Sequence, residues 1–181
     1  MTRPNCKYCQ VVHGNTKVEI VYQDDKLIAY LNQEPASLGH IMLVPKEHHT
    51  IFEQVPDAET SKMFTVASKL SAALFDSLNL GGTNMIIANG VAAGQDIPHV
   101  AMHIIPRMQQ GDNLNFEWKP KQLSEEESSI AEIKLREACA NIGGFESTEN
   151  KVIEHKKEAA DKIIDDEDIE NYLLKSLNRI P

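Results

Sequence analysis

The sequence predicts an α+β domain, residues 1–115, followed by a helical C-terminal extension, residues 116–181. Three observations carry that prediction. Apolar runs at 18–23, 26–31, 40–45, 83–88 and 99–105 have the short length of β-strands. One longer stretch after Asp57 places Met63, Val66, Ala67, Leu70, Leu74 and Leu78 at the spacing of a single helix face. Beyond residue 115 the strand-like runs give way to charged segments with helical spacing.

Composition narrows the class. The chain has 181 residues, 41% hydrophobic and 25% charged, as in a water-soluble globular protein. It has no run of about 18 apolar residues to span a bilayer and no signal-like apolar segment at Met1–Cys6, so a cytoplasmic protein is expected. Three cysteines are an odd number, which argues against a disulfide framework. A net charge of −9 with no basic stripe disfavours nucleic acid as a partner. A few placed donors can still hold one small phosphate.

Taken in order, the chain begins with Cys6-Lys7-Tyr8-Cys9. A redox pair is disfavoured because no strand precedes it, and a zinc site needs two more ligands. Val18–Gln23 and Lys26–Leu31 flank Asp24-Asp25 and read as a hairpin. Gly39-His40 leads into another strand that ends at Pro45, with His48 and His49 just beyond. Asp57 is a good N-cap for the long helix, Gly81-Gly82 a stop, and Met63 and Phe64 are expected in the core. Thr83–Ala88 is a strand, followed by Asn89 and a loop containing Gly90 and Gly94. Glycines there let backbone amides approach an anion.

The stretch Gly94-Gln95-Asp96-Ile97-Pro98-His99-Val100-Ala101-Met102-His103-Ile104-Ile105-Pro106 carries the clearest chemistry. Alternation puts His99, Ala101 and His103 on one face, with the two imidazoles about 13 Å apart, and Val100, Met102 and Ile104 on the core face. This stretch resembles the histidine triad of the HIT superfamily of nucleotide hydrolases and transferases. That pattern is three histidines at alternate positions after Gly-Gln-Ser or Gly-Gln-Asp. Gly94-Gln95-Asp96 matches the lead-in, and His99 and His103 match the outer histidines. The middle histidine, the family's covalent nucleophile, is replaced by Ala101.

The resemblance, which spans Cys6 to about Arg107, implies an antiparallel sheet with one main helix and a homodimer. It implies purine nucleotide chemistry at the AMP or GMP level through a nucleotidyl-histidine intermediate. A phosphoramidase or nucleotidyl hydrolase is the leading activity, and a dinucleoside polyphosphate hydrolase or phosphorylase the alternative. Asn89, Gln95 and His103 would hold phosphate oxygens, with Gly94 in the same loop. Asp96 would sit near the leaving group, and His40 behind the nucleophile. Asn32 would meet the ribose, and Ile20, Val21 and Tyr22 the base. Members of a zinc-bearing bacterial and archaeal branch are similar at Cys6, Cys9, His48 and His99, which implies a closed, structural Zn²⁺ site; His49 is the rival of His48.

Ala101 leaves two explanations. Either the position was changed in the laboratory to trap substrate, or the chain is a catalytically silent nucleotide-binding or docking protein. The presence of His40, Asn89, Gln95, Asp96 and His103 favours the first.

In the extension, residues 113–122 read as an extended tail. Ser124-Glu125-Glu126-Glu127 is a capping box opening a helix that runs to about Asn141 and stops at Gly143-Gly144. Two amphipathic helices are expected over 151–164 and 166–180, with Ile169, Tyr172, Leu173 and Leu177 on one apolar face. That face either packs on this chain or a dimer partner, or docks another protein.

Overall fold

A computed structural model describes residues 3–108 and 114–140. The predicted stop at Gly143-Gly144 and both helices expected over 151–180 lie outside the described residues. The chain divides into two compact units, Met1–Trp118 and the part from Lys119 onward. No helix among the described residues is long and apolar enough to cross a membrane.

The first unit is built on a five-stranded antiparallel sheet of order β1-β2-β3-β5-β4. The strands are β1 Ile20–Gln23, β2 Leu27–Leu31, β3 Ile41–Pro45, β4 Gly82–Ile87 and β5 Met102–Arg107. Strict alternation sends side chains to two apolar layers. Leu27, Ala29, Ile41, Leu43, Val100, Met102 and Ile104 form one. Ile28, Tyr30, Met42, Val44 and Ala101 form the other. Because β2 and β3 are covered on both faces, they read as continuous apolar runs rather than as alternating ones.

Helix α2, Asp57–Leu78, covers the first layer with Met63, Val66, Ala67 and Leu74. Three expectations about this helix are corrected. Pro56, not Asp57, is the N-cap, and Asp57 opens the first turn, where its carboxylate faces the positive end of the helix dipole. The stop is Asn79, in the left-handed conformation at φ 50°, while Gly82 already pairs with Arg107 in the sheet. Met63 is fully buried, but Phe64 is 48% exposed, turned outward by the 100° step to the next residue, and touches Phe52 edge-on.

The second layer is covered by a helix that the sequence reading did not contain. This is α1, Lys7–Val12, which packs Tyr8, Val11 and Val12 on the other face of the sheet. Strand β5 begins at Met102 rather than His99. Before it, the Val100 amide donates to the His49 carbonyl at 2.8 Å, so the chain leaves the ladder to meet the segment after β3.

Gly39 sets the entry to β3. Its φ is +84°, and a Cβ there would lie 2.6 Å from Leu78 Cδ1. Only glycine allows the turn and the close helix approach that present His40.

In the second unit, α3 spans Glu125–Cys139. The capping box is present: Ser124 Oγ accepts from the Glu127 amide, and the Glu127 carboxylate accepts from the Ser124 amide.

Candidate functional site

Three groups of side chains stand out around the layer under α1. The first joins Cys6 and Cys9 from the start of α1, His48 from the turn after β3, and His99 ahead of β5. Their donor atoms all lie within 4.8 Å of one another. His99 Nδ1 lies 3.4 Å from Cys6 Sγ and 3.6 Å from Cys9 Sγ, and His48 Nδ1 lies 3.3 Å from Cys9 Sγ. Bonds of about 2.3 Å to sulfur and 2.0–2.1 Å to nitrogen, at tetrahedral angles, separate S and N by about 3.5 Å. The cluster therefore has the dimensions of a tetrahedral Cys₂His₂ metal site. His99 Nε2 donates to the Pro45 carbonyl at 3.0 Å, which leaves Nδ1 with its lone pair toward the thiols. Burial pushes the Cys9 thiol up and the His99 imidazole down to about 4, so neither charged form is favoured by the bare protein. A bound cation reverses that logic for thiolates. His49, the rival of His48, faces elsewhere, toward Glu59.

The second group is a histidine pair. Register pairs Met42 with His103 across β3 and β5. His40 Nε2 and His103 Nδ1 are 3.1 Å apart. The Ala36 amide donates to His40 Nδ1 at 3.1 Å. That bond assigns the tautomers in sequence. His40 Nδ1 accepts, so Nε2–H donates to His103 Nδ1, and His103 keeps its proton on Nε2. Asn32 Nδ2 lies 3.3 Å from His40 Nδ1 and donates to the Glu34 carbonyl, holding the same corner. Burial, reinforced by the neighbouring His103, pushes His40 down to about 4. Burial also lowers His103, against the pull of the Asp96 carboxylate.

The third group lines a cleft of about 450 Å³ between α1 and the sheet. Tyr8, Val11, Tyr30 and Met42 make its apolar wall, and Lys7, Asn32, Asp96 and His103 its polar rim. Burial, and then the Asp96 carboxylate, raise the Tyr8 phenol to about 12. Ala101 is buried on this same face, packed in the layer with Val11, Tyr30 and Met42.

The remaining expected residues fall into two sets. Asn89 and Gln95 support the loop between β4 and β5. Asn89 Oδ1 accepts from the Phe52 amide, and its Nδ2 donates to Glu53. Gln95 Oε1 accepts from the Gly90 amide, and its Nε2 donates to the carbonyls of Thr50 and Ile97. Gly94, at φ +88°, closes the short 3-10 turn of Val91–Ala93 in that loop. Ile20 and Tyr22, expected at the base, do not line the cleft. β1 is an edge strand with a register shift between these two residues, Ile20 is 52% exposed, and Tyr22 packs against the opposite layer. The apolar wall is supplied instead by Tyr8, Val11 and Tyr30. The spacing of Tyr8 and Val11, one helical turn apart, was the signal available for them.

The HIT domain family matches residues 13–110. The chain belongs to the HIT domain family. Relatives include the Protein hit of Bacillus subtilis, 32% identical over 134 residues, covering 70% of this chain and 92% of that one. An adenylylsulfatase of Arabidopsis thaliana is 31% identical and covers 59% of this chain and 54% of its own length. An adenosine 5'-monophosphoramidase of Candida albicans is 25% identical, covering 76% and 93%. Among solved structures, a HIT family protein of Bacillus subtilis superposes with TM-score 0.69 at 28% identity, over 74% of this chain and 96% of that one. A zinc-bound histidine triad protein of Mycobacterium smegmatis superposes with TM-score 0.58 at 27% identity, over 75% and 96%. In this HIT chain both cysteines of the Cys₂His₂ cluster precede the matched span, and both histidines lie inside it.

The histidine pair makes stability depend on pH. From the ordinary imidazole value of 6.5, burial and then the neighbouring His103 push folded His40 down to about 4. Between those values the unfolded chain binds the proton and the folded chain does not, so this contribution is complete above about pH 6.5 and is lost as pH falls toward 4. Thermal melts across that range should give a steeper decline for the parent chain than for His40→Gln. Equal slopes would show that His40 is not held neutral.

Proposed function

We propose that this chain binds a purine nucleoside monophosphate unit in the cleft beside His103, and that it is built on a nucleotidyl hydrolase scaffold whose nucleophile position carries alanine. The observation that carries this reading is the ordered donor chain from Ala36 through His40 to His103, which leaves an Nε2–H at the rim of a cleft with an aromatic wall. Tyr8 and Tyr30 offer π-faces to a base, Asn32 an amide to the ribose, and His103 a donor to a phosphate oxygen. The adenylyl chemistry in the names of the Arabidopsis and Candida relatives is consistent with an AMP-level substrate.

With histidine at position 101, a neutral imidazole would attack phosphorus. A P–N bond would form as the leaving group departs with the electrons of the broken bond, and water would then release the nucleotide. Asp96, on the cleft rim, lies where a leaving group could be met. His103 and the loop amides would stabilise the charge on the phosphoryl oxygens. With Ala101 that attack has no nucleophile, so the chain holds nucleotide without turnover. One observation favours the second reading, a natural silent binder: Ala101 is closed into an apolar layer with Ile28, Tyr30, Met42 and Val44.

The Cys₂His₂ cluster is proposed as a structural zinc site. When bound, zinc would cross-link α1, the turn after β3 and the approach to β5, and thereby hold the wall of the cleft in place. A cytoplasmic homodimer is proposed for the protein as a whole. Residues 116–181 are proposed as a separate extension, a docking element or a cover for its own domain.

Two experiments check these readings. Calorimetry should detect AMP binding by the parent chain, and Ala101→His should raise hydrolysis of an adenosine phosphoramidate by several orders of magnitude. If both forms bind AMP and both stay inert on every nucleotide tried, the silent-binder reading replaces the hydrolase. Freshly purified protein should carry about one zinc, and chelation should lower Tm. Metal-free protein with an unchanged melt would remove the zinc assignment.

A further inference from the structure

The segment after β3 points two adjacent histidines in different directions. His48 faces the thiols. His49 faces Glu59 in the first turn of α2, and the exposed Glu47 closes the same corner, with the donor atoms of all three within 4.8 Å of one another. We propose that Glu47, His49 and Glu59 form a second divalent-metal site, separate from the Cys₂His₂ cluster.

Burial without partners is the first argument. His49 is 8% exposed and Glu59 6%, and among the described residues neither His49 Nε2 nor Glu59 Oε1 has a hydrogen-bond partner. A buried imidazole nitrogen and a buried carboxylate oxygen left unpaired are both costly. The distance is the second. These two atoms are 3.9 Å apart, too long for a hydrogen bond. First-row metal bonds of about 2.0–2.1 Å can span up to about 4.2 Å between two ligand atoms, so one ion fits between them. Glu47, at the solvent edge, brings a third ligand atom within 4.8 Å of both.

The position of Glu59 is the third. It is the third residue of α2, the place from which a glutamate usually reaches back to the N-cap amide. Here the N-cap is Pro56, which has no N–H, so the carboxylate has no capping duty and turns inward. One imidazole and two carboxylates suit a zinc, manganese, iron or cobalt ion that keeps water in its open positions. Such an ion would tie the first turn of α2 to the segment that holds the β4–β5 loop. In that segment the His49 carbonyl accepts from Val100, and the Thr50 carbonyl from Gln95.

Cobalt(II) distinguishes the two sites by colour. The full chain, stripped of metal, should bind two equivalents. One should show thiolate-to-cobalt charge transfer in the near ultraviolet. The other should show only weak visible bands of nitrogen and oxygen ligation. Glu59→Gln and His49→Gln should abolish the weak-band equivalent and leave the charge-transfer equivalent. Glu47 is exposed, so Glu47→Gln should leave the fold intact and weaken the second equivalent by on the order of tenfold or more. Replacing both thiols, Cys6→Ser with Cys9→Ser, should do the converse, removing the charge transfer and sparing the weak bands. Binding of a single equivalent by the parent chain, or a second equivalent unaffected by Glu47→Gln and Glu59→Gln, overturns the proposal.

Discussion

The alternation of side chains across β5 and its approach is the constraint on which the rest depends. From Val100 to Ile104 every second residue enters the layer under α2, and the residues between them face α1. A slip of one residue would bury His103 in an aliphatic core and expose Met102. Pairing of β5 with β3 on one side and β4 on the other prevents that slip. Because Met42 is opposite His103 and His40 precedes β3, the same register that builds the core also aligns the two imidazoles. Fold stability and site geometry are consequences of one pairing.

The second organising feature is the short run from Pro45 to Glu53. It has almost no regular structure, yet it links the thiol cluster, the helix start and the β4–β5 loop. Pro45 fixes the His99 tautomer through its carbonyl, and His48 joins the thiols. Thr50 and Phe52 bond Gln95 and Asn89 by main-chain groups. The amides of Asn89 and Gln95 are thus held in defined orientations by backbone groups and, for Asn89, by the Glu53 carboxylate. Both Gln95 Nε2 donors are used in this way, so these bonds fix the course of the β4–β5 loop.

The legibility of the sequence follows from the range of each signal. The strands were visible because their apolar runs are bounded by Asp24-Asp25, Gly39 and Pro45, and α2 because six apolar residues keep helical spacing. The Cys6, Cys9, His48 and His99 convergence was legible only through resemblance, since no local pattern joins residues so far apart; the structure supplies the juxtaposition. Helix α1 was missed because six residues hold too few periods to register. The Asp57 and Gly81-Gly82 expectations missed by one to three residues, because helix ends are set by local backbone geometry: Pro56 precedes the first turn without a side-chain cap bond, and Asn79 already takes the left-handed stop. Ile20 and Tyr22 lie outside the cleft for a different reason. An edge strand with a bulge breaks the two-residue period, so its apolar residues do not report a common face.

The central claim is that nucleotide occupies the cleft between α1 and the sheet, against Tyr8 and Tyr30 and beside His103. The most direct measurement is an NMR titration of the isotopically labelled chain with AMP, following backbone amides and imidazole resonances. The account predicts saturable shifts concentrated at Tyr8, Val11, Tyr30, Asn32, Asp96 and His103, with the exposed α2 residues Phe64 and Phe75 unmoved. Shifts concentrated at Ile20 and Val21, or on the outer face of α2, would contradict it.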